Sequence, residues 1–410
     1  MVDSKANSEP GLVRRLTLTH AVLYGVGVTI GAGIYVLVGV AAGRSGMYAP
    51  LGFLIAAIAM GLTAASFAEL GTRMPVSASE AAYVEAAFGR RWLTTAMGLL
   101  VVVTATISAA TIAAGSVGYI GIFVPLPTHW IIIGVVLSMG AVSCLATTQS
   151  IMFAGVMTLI EVGGLVLIIA AGAGQDGDVI TRLPEMIPSA FDRVVWTAIG
   201  GTTLIAVFAF IGFEHLVNIA EELKEPNHTL PRALFITLGV TAVLYMLVIW
   251  ISVVAVPPAE LASSPAPLAL VFQRLTGLPL FYMSLIAVVA TLNGIVVHMI
   301  MIARVLYGLA SQGNLPKHLA HVNQTTRTPI VATGYAVVAI LILTIAVPLD
   351  GLADLASQGT LIIFAAINLA LIVIKARNED APTGVFLCPR WMPYAGLISS
   401  SLVFLVSLLS

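Results

Sequence analysis

The chain is 410 residues long, 59% apolar and 9% charged, with a formal net charge of −1 and a mean hydropathy of +1.04. Soluble domains carry roughly 25% charged residues, so an ordinary water-soluble enzyme is excluded, and so balanced a charge leaves no basic footprint for nucleic acid. Two cysteines, Cys144 and Cys388, make neither a disulfide framework nor a metal pattern. With no zinc helix, serine elbow or phosphate loop either, the reading is no enzyme, no catalytic residue, no metal and no cofactor.

In chain order, residues 1–19 are polar, with Arg14 and Arg15 near their end, and read as a cytoplasmic tail with no cleavable signal peptide. A spanning helix needs about 20 mostly apolar residues. Segments at about 20–43, 48–71, 92–122, 129–147, 150–173, 195–222, 232–256, 280–310, 329–347, 355–376 and 391–410 meet that requirement. Nothing alternates as barrel strands do. The predicted class is therefore an all-α membrane protein of eleven transmembrane helices.

Placing the N-terminus in the cytoplasm puts Lys5, Arg14, Arg15, Arg73, Arg90, Arg91, Lys224, Arg232, Arg304, Lys317, Arg327, Lys375, Arg377 and Arg390 inside. Only Arg44, Arg182, Arg193 and Arg274 fall outside. The excess of basic residues on the inner side favours this orientation in a cytoplasmic (inner) membrane, with the C-terminus outside. The outer loops 174–194 and 257–279 carry Pro184, Pro188, Pro257, Pro258, Pro265 and Pro267, and are places for short surface helices or gates. A ten-helix core over 20–376 then divides into halves of five, 20–173 and 195–376, with 391–410 as an additional helix. Such a division is the layout of an inverted-repeat transporter.

The first span holds Gly25, Gly27, Gly31 and Gly33 within nine residues, each costing a helix roughly 1 kcal/mol relative to Ala. Close packing through small-xxx-small spacing is one reading. The sixth span, at the matching place in the second half, is interrupted too, by Gly200-Gly201-Thr202-Thr203 and by Phe208-Ala209-Phe210-Ile211-Gly212-Phe213-Glu214. Paired interruptions point to a midplane binding site. A broken helix exposes N–H groups at one start and C=O groups at one end, which in lipid must line a cavity and meet a ligand. A zwitterionic α-amino acid supplies both partners.

These tracts resemble the amino acid–polyamine–organocation (APC) superfamily. The likeness rests on Gly25 to Gly39, on Phe208–Glu214 with Glu221-Glu222, Pro226 and Leu230-Pro231, and on Arg304-Val305-Leu306-Tyr307 followed by Gly313-Asn314-Leu315-Pro316-Lys317. Ala68-Glu69-Leu70 and Pro75-Val76-Ser77 are similar to the family's inner loop, with Ala78-Ser79 where Gly-Gly is usual. The nearest likeness is to its bacterial permeases and cationic-amino-acid-transporter-like branch. The resemblance implies a LeuT-like bundle of two inverted five-helix repeats, discontinuous helices 1 and 6, and alternating access. It implies that Gly31, Ala32 and Gly33 meet the substrate carboxylate and that the carbonyls of Phe208, Ala209 and Ile211 meet its ammonium, with Phe208 and Phe210 walling or gating the pocket. Gly33→Leu is then expected to fill the carboxylate position without harm to the fold. Family members commonly have twelve helices; eleven are read here, and no oligomeric state follows.

Ionisable groups inside spans are functional hypotheses. Glu161, in the fifth span, stands where proton-coupled relatives carry a lysine. Burial penalises its charged form, which makes it a proton carrier; ionised, it would attract sodium or a cationic substrate group; otherwise it is a protonated, packed carboxyl. Glu214 is a second titrating group or gate element, or else a cap for exposed backbone. Glu221 and Glu222 are cytoplasmic gate candidates, with Arg73, Arg90 or Arg304 as partners, or a solvated face. His298 reads first as a satisfied structural histidine, and Thr104, Thr106, Ser108 and Thr111 as hydroxyls bonded to their own helix. The expected function is secondary uptake of amino acids across the lipid bilayer, coupled to protons, with sodium as the other ion. An exchanger of amino acids, amines or polyamines is the main alternative, and a non-transporting sensor stands further off. Small or medium neutral substrates suit Ala32 and its apolar neighbours; Glu161 or Glu214 in the pocket would favour a cationic one.

Overall fold

The computed structural model describes residues 16–75, 79–145, 151–174, 178–188, 192–324, 326, 328–377 and 381–408. Lys5, Arg14 and Arg15 of the expected tail, Val76-Ser77-Ala78 of the loop motif, Arg327, and the last two residues of the expected eleventh span lie outside the described residues.

The order of helices is α1 Leu18–Ile30, α2 Gly33–Ser45, α3 Ala49–Arg73, α4 Ser79–Phe88, α5 Arg91–Ile120, α6 Thr128–Leu145, α7 Ile151–Ala173, α8 Asp178–Thr181, α9 Arg193–Phe210, α10 Pro226–Ala255, α11 Pro258–Ser263, α12 Pro267–Thr276, α13 Phe281–Ser311, α14 Ile330–Ala346, α15 Leu349–Ala376 and α16 Trp391–Ser407. A 3-10 helix, Phe213–Glu222, follows α9. No strand occurs among the described residues. An isolated parallel bridge joins Leu16 to Leu223, with the Leu16 N–H donating to the Glu222 carbonyl at 3.0 Å.

Eight stretches among the described residues are long and apolar enough to cross a membrane, beside three shorter apolar helices. The long ones overshoot the hydrocarbon core: 30 residues of α5 are about 45 Å against roughly 30 Å of hydrocarbon. By contrast α1, with 13 residues, reaches about 20 Å and needs α2 to complete a crossing. Their surfaces face lipid. Tyr335, Val338, Ile342 and Ile345 form one exposed stripe on α14, and Ile398, Leu402 and Leu405 one on α16.

The core is built where α5 packs against α13 and α15, α10 against α1 and α3, and α9 against α2 and α3. Small residues set the spacing. A Cβ on Gly52 of α3 would lie 2.9 Å from the Thr202 side chain of α9.

Several elements depart from the sequence reading. Helix α4 forms inside what reads as a loop, because Tyr83, Val84 and Ala87 bury one face of it. Helix α10 begins at Pro226 rather than near 232, since proline suits the first helical position, and Pro231 lies inside it. The two proline-rich loops carry the short helices α8, α11 and α12, and α12 is anchored by the Leu268 N–H on the Tyr119 hydroxyl at 3.3 Å.

Candidate binding site at two interrupted helices

Helix α1 stops at Ile30, where the Gly31 N–H still reaches the Gly27 carbonyl at 3.1 Å; Ala32 follows and α2 starts at Gly33. Helix α9 stops at Phe210, the Ile211 N–H bonding the Phe208 carbonyl at 3.1 Å. Gly212 then takes φ +126, a conformation open essentially to glycine, and the chain resumes as the 3-10 helix.

Each interruption rests on the backbone of the other. A Cβ at Gly33 would lie 2.8 Å from the Ala209 Cα, and one at Gly212 would lie 2.7 Å from the Val28 carbonyl oxygen. Tyr245 of α10 clamps both ends, its hydroxyl lying 2.9 Å from the Thr29 carbonyl and 3.0 Å from the Ala209 carbonyl. A phenol carries one proton, so it serves one carbonyl at a time or both weakly. Two further buried tyrosines extend the brace: the Tyr119 hydroxyl donates to the Tyr35 carbonyl at 2.6 Å and the Tyr35 hydroxyl to the Glu161 carbonyl at 2.5 Å.

Between the interruptions lies a cavity of about 50 Å³, on a measure where one water needs about 10–15 Å³. Gly31, Ala32 and Gly33 line one side, Phe208, Ala209 and Ile211 another, and Ser108, Asn293, Gly294 and His298 close it. Among the described residues, no Asp, Glu, Lys or Arg lines it. The first N–H groups of α2 have no partner within their own helix, so this side donates, while the α9 end presents carbonyls.

Three sequence-based expectations change here. Phe210 does not line the cavity; it is fully buried and packs on Tyr245 with ring centroids 5.2 Å apart, because the last turn of α9 rotates it away. The Gly31 N–H is spent on α1, so the free donors begin beyond it. Gly33→Leu cannot be a silent probe, since its Cβ runs into α9 backbone rather than into the cavity.

Glu161 of α7 stands behind this wall, fully buried. Asn293, which lines the cavity, donates to its Oε1 at 3.1 Å, and its Oε2 has no hydrogen-bond partner among the described residues. Glu214 caps the second interruption, accepting the Gly212 N–H at 2.8 Å, and lines a neighbouring cavity instead. Of the expected gate partners, Arg73 pairs with Glu69 at 2.8 Å. Glu222 and Arg304 both lie close enough to Tyr24 to act on it electrostatically, and Glu221 lies beside Glu222 in the same 3-10 helix. Thr106 and Thr111 bond their own helix carbonyls as expected, whereas the Thr104 hydroxyl has no partner among the described residues.

Two polar assemblies escape sequence reasoning, because their members are far apart in the chain. At one end of the bundle Arg44 bonds Asp354 at 2.7 Å and the Gly201 carbonyl at 3.0 Å. At the other, fully buried Glu69 receives Arg73, Lys375 at 2.7 Å and the Cys388 N–H at 2.9 Å. The signal available was a glutamate inside an apolar run, which must find cations. Burial, then the Glu69 charge, push the Cys388 thiol up to about 12.

The sequence pattern of the amino acid permease family matches residues 16–410. The mitochondrial cationic amino acid transporter 3 of Arabidopsis thaliana is 31% identical over 391 residues, 89% of this chain and 63% of that transporter. The branched-chain amino acid permease BcaP of Bacillus subtilis is 28% identical over 428 residues, covering 98% of this chain and 89% of the permease. The vacuolar cationic amino acid transporter 2 of Arabidopsis is 29% identical over 403 residues, 92% of this chain. The chain thus spans 63% of the length of each plant transporter.

Proposed function

The chain belongs to the amino acid permease family, and from that premise we propose a proton-coupled secondary transporter that takes up amino acids across the cytoplasmic membrane by alternating access. It is a multi-pass membrane transporter and not an enzyme.

The observation that carries it is the meeting of two helix interruptions at one uncharged cavity. An amino acid presents a carboxylate to the N–H groups opening α2, where the helix dipole favours an anion, with Ala32 and Gly33 nearest. Its ammonium is offered the carbonyls of Phe208, Ala209 and Ile211. Counting α1 with α2 and α9 with the 3-10 helix as single crossings, and adding α3, α5, α6, α7, α10, α13, α14, α15 and α16, gives eleven. The first five and next five then form LeuT-like inverted repeats, a reading supported by the reciprocal contacts of Gly33 with Ala209 and Gly212 with Val28. The excess of Lys and Arg assigns the α4 end to the cytoplasm. The Arg44–Asp354 pair is then the outer closure.

Glu161 is the coupling group in this reading. Protonated, its carboxyl needs no counter-ion in an apolar bundle; ionised, it has among the described residues the Asn293 amide as its side-chain hydrogen-bond donor, a poor exchange for water. Asn293 links the carboxyl directly to the cavity wall, so proton binding and substrate binding share one side chain.

Binding measured in detergent or nanodiscs tests the head-group assignment. L-leucine is expected to bind, and leucinol, which lacks the carboxylate, to bind at least about tenfold more weakly, the loss of a charge-assisted hydrogen bond. Ala32→Leu, which places bulk in the cavity from a residue with ordinary helical backbone (φ −81, ψ −21), is expected to abolish leucine binding. Equal affinity for leucine and leucinol would overturn the assignment.

A further inference from the structure

A second cavity of about 30 Å³ shares Ser108, Ile211 and His298 with the first and extends toward the α4 end, where Phe364 of α15 is part of its wall. From Phe364 onward, α15 is joined to α3 by three contacts in order along its length. The Phe364 ring lies 5.5 Å from that of Phe67, centroid to centroid. One turn later, buried Asn368 accepts the Ser66 hydroxyl at 2.6 Å and donates to the Thr63 hydroxyl at 3.0 Å. Two turns further on, Lys375 meets Glu69 at 2.7 Å.

Residues 381–390, between α15 and α16, fasten the same seam from outside it. The Phe386 N–H donates to the Thr72 hydroxyl of α3 at 3.2 Å, and its ring packs on Phe235 of α10 with centroids 6.1 Å apart. The Cys388 N–H donates to Glu69 Oε2 at 2.9 Å, the oxygen that Lys375 also holds, and Lys375 donates to the Cys388 carbonyl at 2.5 Å. Just before this strap, Arg377 donates to the Ala86 and Ala87 carbonyls of α4.

The charges are arranged so that this contact can open. Glu69 lies near the C-terminal end of α3, where the helix dipole disfavours an anion, so it depends on cations. Arg73, four residues on in the same helix, holds Oε1 at 2.8 Å and travels with Glu69 wherever α3 goes. Parting α3 from α15 therefore leaves no carboxylate without a cation, the outcome that makes breaking a buried pair costly. Lys375, in the last turn of α15 and with its side chain 13% exposed, can carry its ammonium into water on a flexible stem. Water can replace the strap's backbone hydrogen bonds in turn.

We propose that Glu69, Lys375 and the 381–390 strap form a latch at the cytoplasmic end, closed in this structure, which must release α3 from α15 before the cavities open inward. This rests on the transporter reading for the motion that the latch gates; the contacts that make the latch do not.

The first test uses the full chain in proteoliposomes with both native cysteines replaced, Cys144→Ser and Cys388→Ser, and a new pair introduced by Thr72→Cys and Phe386→Cys. A short bis-methanethiosulfonate reagent joins the pair and dithiothreitol frees it. Joining is expected to stop uptake of labelled L-leucine and freeing to restore it; equal uptake in the joined and freed protein overturns the proposal. Lys375→Gln, in the otherwise unmodified chain in nanodiscs, keeps the test decisive if the cysteine pair prevents folding. Trypsin cleavage after Arg377 follows the population with the strap released, and losing one charge-assisted hydrogen bond is expected to speed it about tenfold or more. Cleavage after Arg274, in the outer loop, is expected to stay unchanged. Equal cleavage after Arg377 in Lys375→Gln and the unmodified protein overturns the latch, and so does a rise at both sites, which marks general loosening. Absence of leucine uptake by the unmodified protein would count against the transporter reading, while the trypsin comparison still decides the latch.

Discussion

Tyr245 shows how a single hydroxyl can hold two helices in an interrupted state. Its proton is offered to Thr29 and Ala209, carbonyls from the two ends that face the cavity. Tyr245→Phe leaves both without that donor, at a cost of about 1–3 kcal/mol for a buried unsatisfied group. Slower uptake with an otherwise folded, monodisperse protein is expected, measured as initial rate beside thermal unfolding in detergent. Cys388 provides a second residue-scale test. With its thiol pushed up to about 12 by burial and by Glu69, about one thiol in ten thousand is thiolate at pH 8, and the thiolate is the reacting form. Maleimide labelling of Cys388 in the folded protein is expected to be very slow at pH 8 and to rise only as pH climbs toward 12 or the protein unfolds; mass spectrometry of labelled peptides reads this directly. From sequence the same cysteine reads as a polar-loop residue, because the loop's own composition says nothing of Glu69, 319 positions away.

The helices themselves explain what was legible and what was not. The interruptions were readable because glycine, a poor helix former, recurs where a helix must otherwise cross. Their exact ends were not, since they depend on which turn closes last: Phe210 falls behind the site and the Gly31 N–H inside α1. Helix α4 was illegible as a helix because ten residues fall short of a span and its burial is tertiary. The Arg44–Asp354 pair joins residues 310 apart, beyond any local pattern. Gly212→Ala tests the second interruption. The residue would have to hold φ +126, and its Cβ would meet the Val28 carbonyl at 2.7 Å. A backbone conformation of this kind costs of order 1–3 kcal/mol, before the clash is counted. Lower thermal stability and loss of leucine binding are expected, against a Gly61→Ala control, where a Cβ meets nothing within 4 Å.

At the scale of the molecule, a brace of buried tyrosines and two polar clusters at opposite ends surround a pair of cavities that share one wall. Such an arrangement is suited to alternating access, in which one end is tied while the other yields. Glu161 is the group proposed to couple the cycle to protons, as a fully buried carboxyl with one oxygen unpaired among the described residues and an Asn293 link to the cavity. The most direct measurement is uptake of labelled amino acids into sodium-free proteoliposomes, with and without an inward proton gradient, for the unmodified protein and Glu161→Gln. Accumulation driven by the gradient in the unmodified protein, and insensitive to the gradient in Glu161→Gln, is the expected result. Exchange only against preloaded amino acid, indifferent to the gradient and unchanged by Glu161→Gln, would contradict proton coupling and leave an exchanger in its place.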